Sequence, residues 1–558
     1  MTPTTNNRPV RTGLQSRHYL QHQAVPAAGN GDLRRSPRKP IRVMKFGGTS
    51  VGDASAIKNV VEIVRSAARE SHVVVVVSAM SGVTNKLVAA ANQAEAGDYE
   101  PVAATFAELR RQHDAAADAL IHSAAERGCI RRKVDEIVQE GDRLCRGTML
   151  LGELTPRTRD AISSLGERLS APLVAAVLAE YGVMSQAIEA TELVVTDSRH
   201  GAADPVIDLT RERCQNSLYP LLDQGIVPVV TGFIGATTEG VLTTLGRGGS
   251  DYSATILGAA LNADEVIIWT DVDGLQTADP RLVSGGRTIP EISYREAAEL
   301  AYFGAKVLHP KTLRAVMQCG IPLWIRNTFA SDLPGTKITP AGPPSAAGVK
   351  ALTAMSDVAM INVGGPGLAG AQDVIGRTLR TAAAVRADVL LISQASSQND
   401  LCLVISAALG KSMAEALRHE FAHDLIYKPT HKLSHEPTRE PVPEPTRPIA
   451  LDLSVAMVTV VGQNMRSVPG MVGRTFGALG RENVDIIAIA QGATDCTISF
   501  VVAKNDVKAA LAGIHQEFRL GSPQHAQAAE TKAGNAIDEA ESYYPPCDVV
   551  EAVGQPEP

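Results

Sequence analysis

"RVMKFGGTSVGD", residues 42–53, is the stretch on which the fold turns. Val43, Met44, Lys45 and Phe46 make a strand-like run that ends in Gly47 and Gly48. Thr49 and Ser50, both helix-capping types, come next. A glycine turn after a strand lets backbone N–H groups approach an anion. A following helix N-terminus adds partial positive charge, and Lys45 adds a full one. Together these read as a phosphate-binding device. It is not the P-loop, whose lysine follows its glycines. "KFGG" alone equally describes a tight turn beside a snorkelling lysine, so the decision falls to the rest of the chain.

Outward from this stretch the pattern alternates. Residues 54–70 are helix-like, "SHVVVVVSAM" (71–80) is a fully buried strand, and "GIVPVVTGFIG" (225–235) and "ADEVIIWTDVDG" (263–274) are strands around the helical "SDYSATILGAALN" (250–262). Apolar strands separated by helices predict an α/β domain whose parallel-rich central sheet is sandwiched by helices. Residues 100–140 read as helical decoration, and "TPAGPPSAAG" (339–348) as a linker. At 558 residues the chain holds three or four domains by a prior of about one per 150 residues. The net charge of −7, with no basic stripe, argues against a nucleic-acid partner. Its purely apolar runs, such as "VVVVV" (73–77), are far short of the roughly 20 residues of a membrane span. Seven scattered cysteines without a CxxC predict reduced thiols, not a disulfide frame or zinc site. Residues 1–40 are basic and read as a disordered tail, although an organelle transit segment has similar composition.

Beyond the linker the chain repeats itself. "VAMINVGGPGL" (358–368) matches "VAMVTVVGQNM" (455–465), and residues 375–405 match 472–502, at a constant offset of 97 residues. Gly376, Arg377 and Thr378 recur as Gly473, Arg474 and Thr475, and Gln394 recurs as Gln491. Each copy reads as a small α+β module of the split βαβ, ferredoxin-like type. The expected boundaries are 41–340 for the first domain, 350–430 and 451–520 for the modules, a Pro/Glu-rich linker at 431–450 and a flexible tail at 521–558. "CDVVEAV" (547–553) is a candidate late strand completing the first module.

Three further segments carry candidate chemistry. In "TTLGRGGSDYSA" (243–254) Gly246, Gly248 and Gly249 permit close backbone approach, and Ser250 is read as the cap of the next helix. Arg247 and Asp251 put opposite charges on that loop, a pairing that suits the carboxylate and ammonium of an amino acid. The plainer reading is a salt bridge within a glycine loop. In "WTDVDGLQTADPR" (269–281) Thr270, Asp271 and Asp273 sit at a strand exit, where open α/β sheets bind ligands, and Arg281 closes the segment. In "FGAKVLHP" (303–310) Lys306 is a candidate phosphate contact, or a solvated helix lysine. Two other motifs are decoys. "GPGLAG" (365–370) fits a dinucleotide fingerprint, but its repeat partner lacks the glycines. "HEFAH" (419–423) fits a zinc-protease helix, but sits on the outside of a small module.

"KFGGTSVGD", "VSAMSGVTN", "GERLSA", "LGRGGSDYSA", "WTDVDGLQTADPR" and "FGAKVLHP", in this order, resemble aspartate kinase of the amino-acid kinase superfamily. The repeated modules resemble the paired ACT domains that follow it, most closely those of bifunctional aspartokinase–homoserine dehydrogenases, and the dehydrogenase activity itself is not expected. The resemblance implies transfer of the ATP γ-phosphate to the β-carboxylate of L-aspartate, with Mg²⁺, as the first step of lysine, threonine and methionine synthesis. It implies catalytic roles for Lys45, Glu167 and Asp251. Substrate contacts fall on Ser78, Thr84, Glu167, Arg247 and Asp251, with Glu167 also orienting Lys45. ATP contacts fall on Lys45, Gly47, Gly48, Ser50, Thr270, Asp271, Arg281 and Lys306. Gln276 departs from the tyrosine many relatives carry beside the nucleotide. Gln394 and Gln491 match effector positions, with threonine the first choice of effector and lysine the second. The ACT pair further implies a homodimer or homotetramer, and the expected location is cytoplasmic. No dedicated protein metal site is expected. Two alternatives stand beside this: a kinase for another amino acid, and a non-catalytic ACT regulatory protein.

Overall fold

Strict alternation along the first strand sets up the whole first domain. Ile41 and Val43 point into one core and Met44 and Phe46 into another, on opposite faces of one sheet. The computed structural model describes residues 39–304, 307–343, 345, 348–364, 371–394, 400–422, 449–491 and 495–521. In chain order the first domain's strands are β1 (Ile41–Phe46), β2 (His72–Val77), β3 (Ser185–Ile188), β4 (Val227–Thr231), β5 (Ile234–Ala236), β6 (Leu242–Thr244), β7 (Glu265–Thr270), β8 (Glu291–Ser293), β9 (Leu323–Asn327) and β10 (Thr336–Thr339). Eight of them form one sheet in the order β3-β4-β2-β1-β7-β9-β10-β8, and β5 and β6 form a separate ribbon. All pairings from β3 across to β9 are parallel, so β1, β2, β4, β7 and β9 end at one edge. That edge is where ligands of open α/β sheets bind.

Helices cover both faces. Ala54–Glu70 is capped by Asp53, whose carboxylate accepts the Ala56 N–H at 2.9 Å. Thr49 and Ser50 are therefore loop residues, not caps. The decoration read at 100–140 is two long helices, Tyr99–Leu120 and Ala124–Leu151. The segment 225–235 is not one strand, because Phe233 takes a left-handed conformation (φ 70°) that breaks it between β4 and β5. One stretch, Pro156–Glu180, is long and apolar enough by composition to cross a bilayer. Its most apolar window is 78% buried inside the domain, which identifies a core helix.

The repeat is visible in space, and its boundaries differ from the expected ones. The module strands are β11 (Ala351–Met355), β12 (Val358–Gly364), β13 (Val389–Gln394), β14 (Asp400–Ser406), β15 (Ile449–Asp452), β16 (Val455–Val461), β17 (Ala488–Ala490) and β18 (Thr497–Ala503). They form two four-stranded sheets, β13-β14-β12-β15 and β11-β16-β18-β17. β11 thus belongs to the second module, opposite Met457 and its neighbours, and β15 belongs to the first. The first module, 358–452, is a βαββαβ unit inserted into the second, which runs ββαββα in chain order, and β11 takes beside β16 the place that β15 takes beside β12. Residues 449–450, expected in the linker, are paired strand. The remaining linker, 547–553, "GPGLAG" and His423 lie outside the described residues.

Equivalent side chains repeat the 97-residue offset. Arg377 pairs with Glu420 at 2.8 Å and lies over the Phe421 ring; Arg474 pairs with Glu517 at 2.9 Å and lies over Phe518. The second module also docks on the first domain. Lys350 and Glu296 form a buried pair at 2.8 Å, and Ala278 and Val283 are buried in the module's own core.

His113 is fully buried in the Tyr99–Leu120 helix. Its Nδ1 is 2.7 Å from the Leu109 carbonyl, and its Nε2 has no partner among the described residues. Burial pushes its pKa below the ordinary value of 6.5. Below about pH 6.5 the unfolded chain binds a proton that the folded helix refuses, so stability falls as pH drops. Calorimetry from pH 8 to 5 is expected to show this acid-side loss, and His113→Leu to reduce its slope by up to ~1.4 kcal/mol per pH unit.

Candidate active site

Lys45 shares the Ile41–Val43 face of β1, so its side chain rises towards the helix Gly249–Ala260 that packs there. It is 8% exposed, and Nζ lies 2.5 Å from Oδ1 of Asp251 in that helix's first turn. An ammonium this far out of water requires such a counter-charge. The sequence-predicted cation therefore points into the cleft at the second glycine loop. Gly48 passes close by, where a Cβ would be 3.0 Å from the Ala79 carbonyl. One expectation needs correcting. The Gly47 N–H donates to the Trp269 carbonyl at 3.1 Å and is not offered to an anion.

The helix N-termini that end without a side-chain cap at this edge are also not the expected one. They belong to Gly249–Ala260, behind Gly248, and to Val83–Glu95, behind Gly82, whose first turn carries Thr84. Both have unclaimed N–H groups available to an anion. Ser250 is the second residue inside its helix, and Gly248, at φ 71°, holds the cap position.

Glu167 lies in the first turn of Leu165–Glu180 and is 3% exposed. Gly166 brings it there, because any Cβ at 166 would be 2.6 Å from that of Ala79. Ser170 fastens the same helix to the Ser78 carbonyl at 2.7 Å, and the Ser78 N–H donates to Phe46, which sets Ser78 beside the β1 exit. Burial pushes the Glu167 carboxyl up to about 8, against the pull of the Ala79 and Glu167 amides, the Lys45 charge and the Ser250 hydroxyl. Lys45 makes its ion pair with Asp251 and none with Glu167 among the described residues, so Glu167 acts on Lys45 through space. Arg247 is exposed at the tip of the glycine loop.

At the β7 exit, Thr270 Oγ1 donates to Asp271 at 3.2 Å, and Asp273 accepts from Asn327 Nδ2 at 2.6 Å. Ser50 donates to the Trp269 carbonyl and shares a 2.7 Å hydrogen bond with Thr328, tying the loop after β1 to the ends of β7 and β9. Arg281 is not gathered into this group. It is exposed and paired with Asp279 at 2.6 Å, on the turn whose Val283 packs into the second module. Gln276 donates to Thr288 at 2.9 Å. Lys306 lies outside the described residues. Gln394 and Gln491 are both exposed, at the end of β13 and just after β17.

Sequence reasoning missed two residues here. His309 caps the helix Pro310–Cys319, and its Cβ would collide with any side chain at Gly248; its charge is coupled to those of Arg247 and Asp251. The ring of Phe233, in its left-handed conformation, leaves no room for a Cβ at Gly249. Strain of about 1–3 kcal/mol at such a residue is typical of ligand-binding sites. His309 was within the quoted "FGAKVLHP"; nothing local signals Phe233.

A parallel sheet whose strand exits carry a buried lysine and two glycine loops, with a buried glutamate on a helix beside them, makes an anion-binding small-molecule site, and the amino acid kinase family matches residues 40–327. An ACT domain matches residues 458–518. The chain is 34% identical over 86% of its length to the bifunctional aspartokinase/homoserine dehydrogenase of Daucus carota, and spans 50% of that protein. It spans about half the length of the bifunctional relatives it matches. It is 30% identical to aspartokinase 3 of Arabidopsis thaliana, covering 83% of it. Among solved structures, E. coli aspartokinase III in complex with aspartate and ADP matches with a TM-score of 0.70 at 29% identity, over 86% of this chain and 99% of that one. The same enzyme with lysine and aspartate matches at 0.68 and 29%, with the same coverage. The chain belongs to the aspartokinases, within the amino acid kinase family.

The raised Glu167 carboxyl gives a signed expectation. The unfolded chain ionises it near pH 4.5 and the folded chain near 8, so its contribution favours folding fully below 4.5 and is lost as pH rises to 8. The Tm of wild type relative to Glu167→Gln is expected to fall across that window in a pH series, with the Gln variant more stable at pH 8.

Proposed function

We propose that this chain is an ATP-dependent aspartate kinase. The γ-phosphoryl group moves from ATP to a β-carboxylate oxygen of L-aspartate; the bond to the β-phosphate oxygen breaks, and 4-phospho-L-aspartate and ADP leave. The observation that carries this reading is Lys45, a buried cation at the first strand exit held by Asp251 of the second glycine loop. An aspartate β-carboxylate, with a pKa near 3.9, is already ionised at neutral pH and needs no general base. The barrier is repulsion between two anions, which alignment and positive charge relieve.

In this reading Arg247 clamps the α-carboxylate and Asp251 and Glu167 receive the ammonium, with Ser78 and Thr84 at the rim. A neutral Glu167 would lose its proton as that ammonium arrives. Gly48, Ser50, Thr270 and Asp271 line the nucleotide side, and Arg281 and Lys306 complete it in the bound state. Among the described residues no group of three or more His, Cys, Asp or Glu side chains could hold a metal. In this reading Mg²⁺ enters with the nucleotide phosphates, and Asp271 contacts ATP. The product feeds lysine, threonine and methionine synthesis. Regulation by threonine or lysine through Gln394 and Gln491, assembly of copies through the ACT modules, and a cytoplasmic location belong to the same reading. The lysine-bound form of E. coli aspartokinase III supports the regulatory part. Cell fractionation tests the location against import directed by residues 1–40.

Lys45→Ala is expected to keep fold and aspartate binding and to lose about 10²–10³ of kcat, the typical cost of removing one transition-state charge contact. ADP-release assays with aspartate, glutamate and acetylglutamate check both variant and substrate; near-normal turnover by Lys45→Ala would overturn the lysine's role. Inhibition curves with threonine, lysine and both are expected to show inhibition, and a flat response to all three removes the regulatory reading while leaving the kinase intact.

A further inference from the structure

Asp160 has no part in the roles above, yet hydrogen bonds from three residues on two separate segments converge on its carboxylate. It sits in the helix Pro156–Ser163 and is 2% exposed. The Gly201 N–H donates to both oxygens, at 3.1 and 3.0 Å. The Thr244 hydroxyl donates to Oδ1 at 2.6 Å and the Thr244 N–H to Oδ2 at 3.2 Å. His200 Nδ1–H donates to Oδ2 at 2.8 Å. Thr244 is the last residue of β6, two residues before Gly246, and Arg247 follows.

Gly246 is held from both directions by groups that end on Asp160. Its conformation is left-handed (φ 80°), and a Cβ there would lie 2.9 Å from the Gly201 carbonyl. The turn packed against Gly246 is thus fixed through the Gly201 N–H, and the strand leading into it through Thr244. The same turn is braced on its far side, where Arg199 bridges Asp197 and Asp204 and Lys311 reaches Asp204 at 3.4 Å. The Thr244 carbonyl accepts the Ala203 N–H at 2.9 Å, closing the ring. Arg247 therefore projects from a loop whose leading strand and packing turn both bond one buried carboxylate.

We propose that Asp160 is a positioning residue for the Arg247 clamp, acting through Thr244 and Gly201 to set affinity for the amino-acid substrate. The inference rests on the aspartate kinase reading and on Arg247 as the carboxylate clamp. Asp160→Asn keeps the volume but turns an N–H₂ group on donors that need an acceptor. In the full chain it is expected to raise KM for aspartate about tenfold or more, as lost bonds to a charged group do, and to leave KM for ATP within about twofold. Amide exchange over residues 244–250 should accelerate, with 47–52 unchanged. Thr244→Val, which removes one donor, should raise KM for aspartate in the same direction, and Thr244→Ser should not.

Unchanged KM values, or KM for both substrates rising together, would overturn the proposal and leave Asp160 as an ordinary buried structural group. Should Asp160→Asn fail to fold, the Thr244 pair decides: equal KM values for Val and Ser overturn the proposal. A wild-type chain that turns over no aspartate refutes the function reading. The exchange measurement then still decides whether Asp160 sets the loop.

Discussion

A lysine ammonium buried at the end of a central strand is the constraint around which this domain is arranged. A buried ammonium is costly without a counter-charge, and Asp251 lies 2.5 Å from it. The pair locks the β1 exit to the first turn of the helix behind the second glycine loop. Two tight glycines stand around it: Gly166 lets a second acid approach, and Gly249 lets its helix start against Phe233. Burial pushes the Glu167 carboxyl up to about 8, against the pull of nearby amides and of the Lys45 charge.

The second half of the chain obeys a different constraint, set by pairing and not by charge. Each module needs a fourth strand beside its first, and the chain satisfies the second by borrowing β11, which precedes the first module entirely. This insertion keeps 351–355 and 455–461 together, beside the buried Lys350–Glu296 pair. The turn after β7 is gripped in the same region: the Leu352 N–H donates to the Thr277 carbonyl at 2.8 Å, and Thr277 Oγ1 lies 3.1 Å from His515 Nε2. A movement of the second module must therefore move the loop that leaves the proposed nucleotide edge.

Much of this was legible in advance, for identifiable reasons. β1, β2 and β7 announced themselves as β-branched runs ending in glycine or Asp/Thr turns, and burial on both faces leaves little else for such runs to be. The 97-residue repeat was read without a gap, and Arg377 and Arg474 carry out identical tasks at its two ends. The misread parts have two causes. The caps at Asp53 and Gly248 are local, and several capping residue types stood close together in sequence; the break at Phe233 and the fourth strands of the modules depend on partners distant in sequence. Local propensity pointed instead to Ser50, to Ser250, to an unbroken strand and to modules that end where the repeat ends.

Alone, the sequence determined the alternation of strands and helices, the internal repeat, and the residue types that bring positive charge to a strand exit, because periodicity and turn chemistry are local properties. The tertiary structure alone decided which acid pairs with Lys45, that the Gly47 amide is spent on Trp269, that Arg281 turns to Asp279, and that Asp160 gathers Thr244, Gly201 and His200. All but the exposed Arg281–Asp279 pair depend on which distant groups share a space closed to water. There a donor, an acceptor or a charge must take the partner that packing brings within reach.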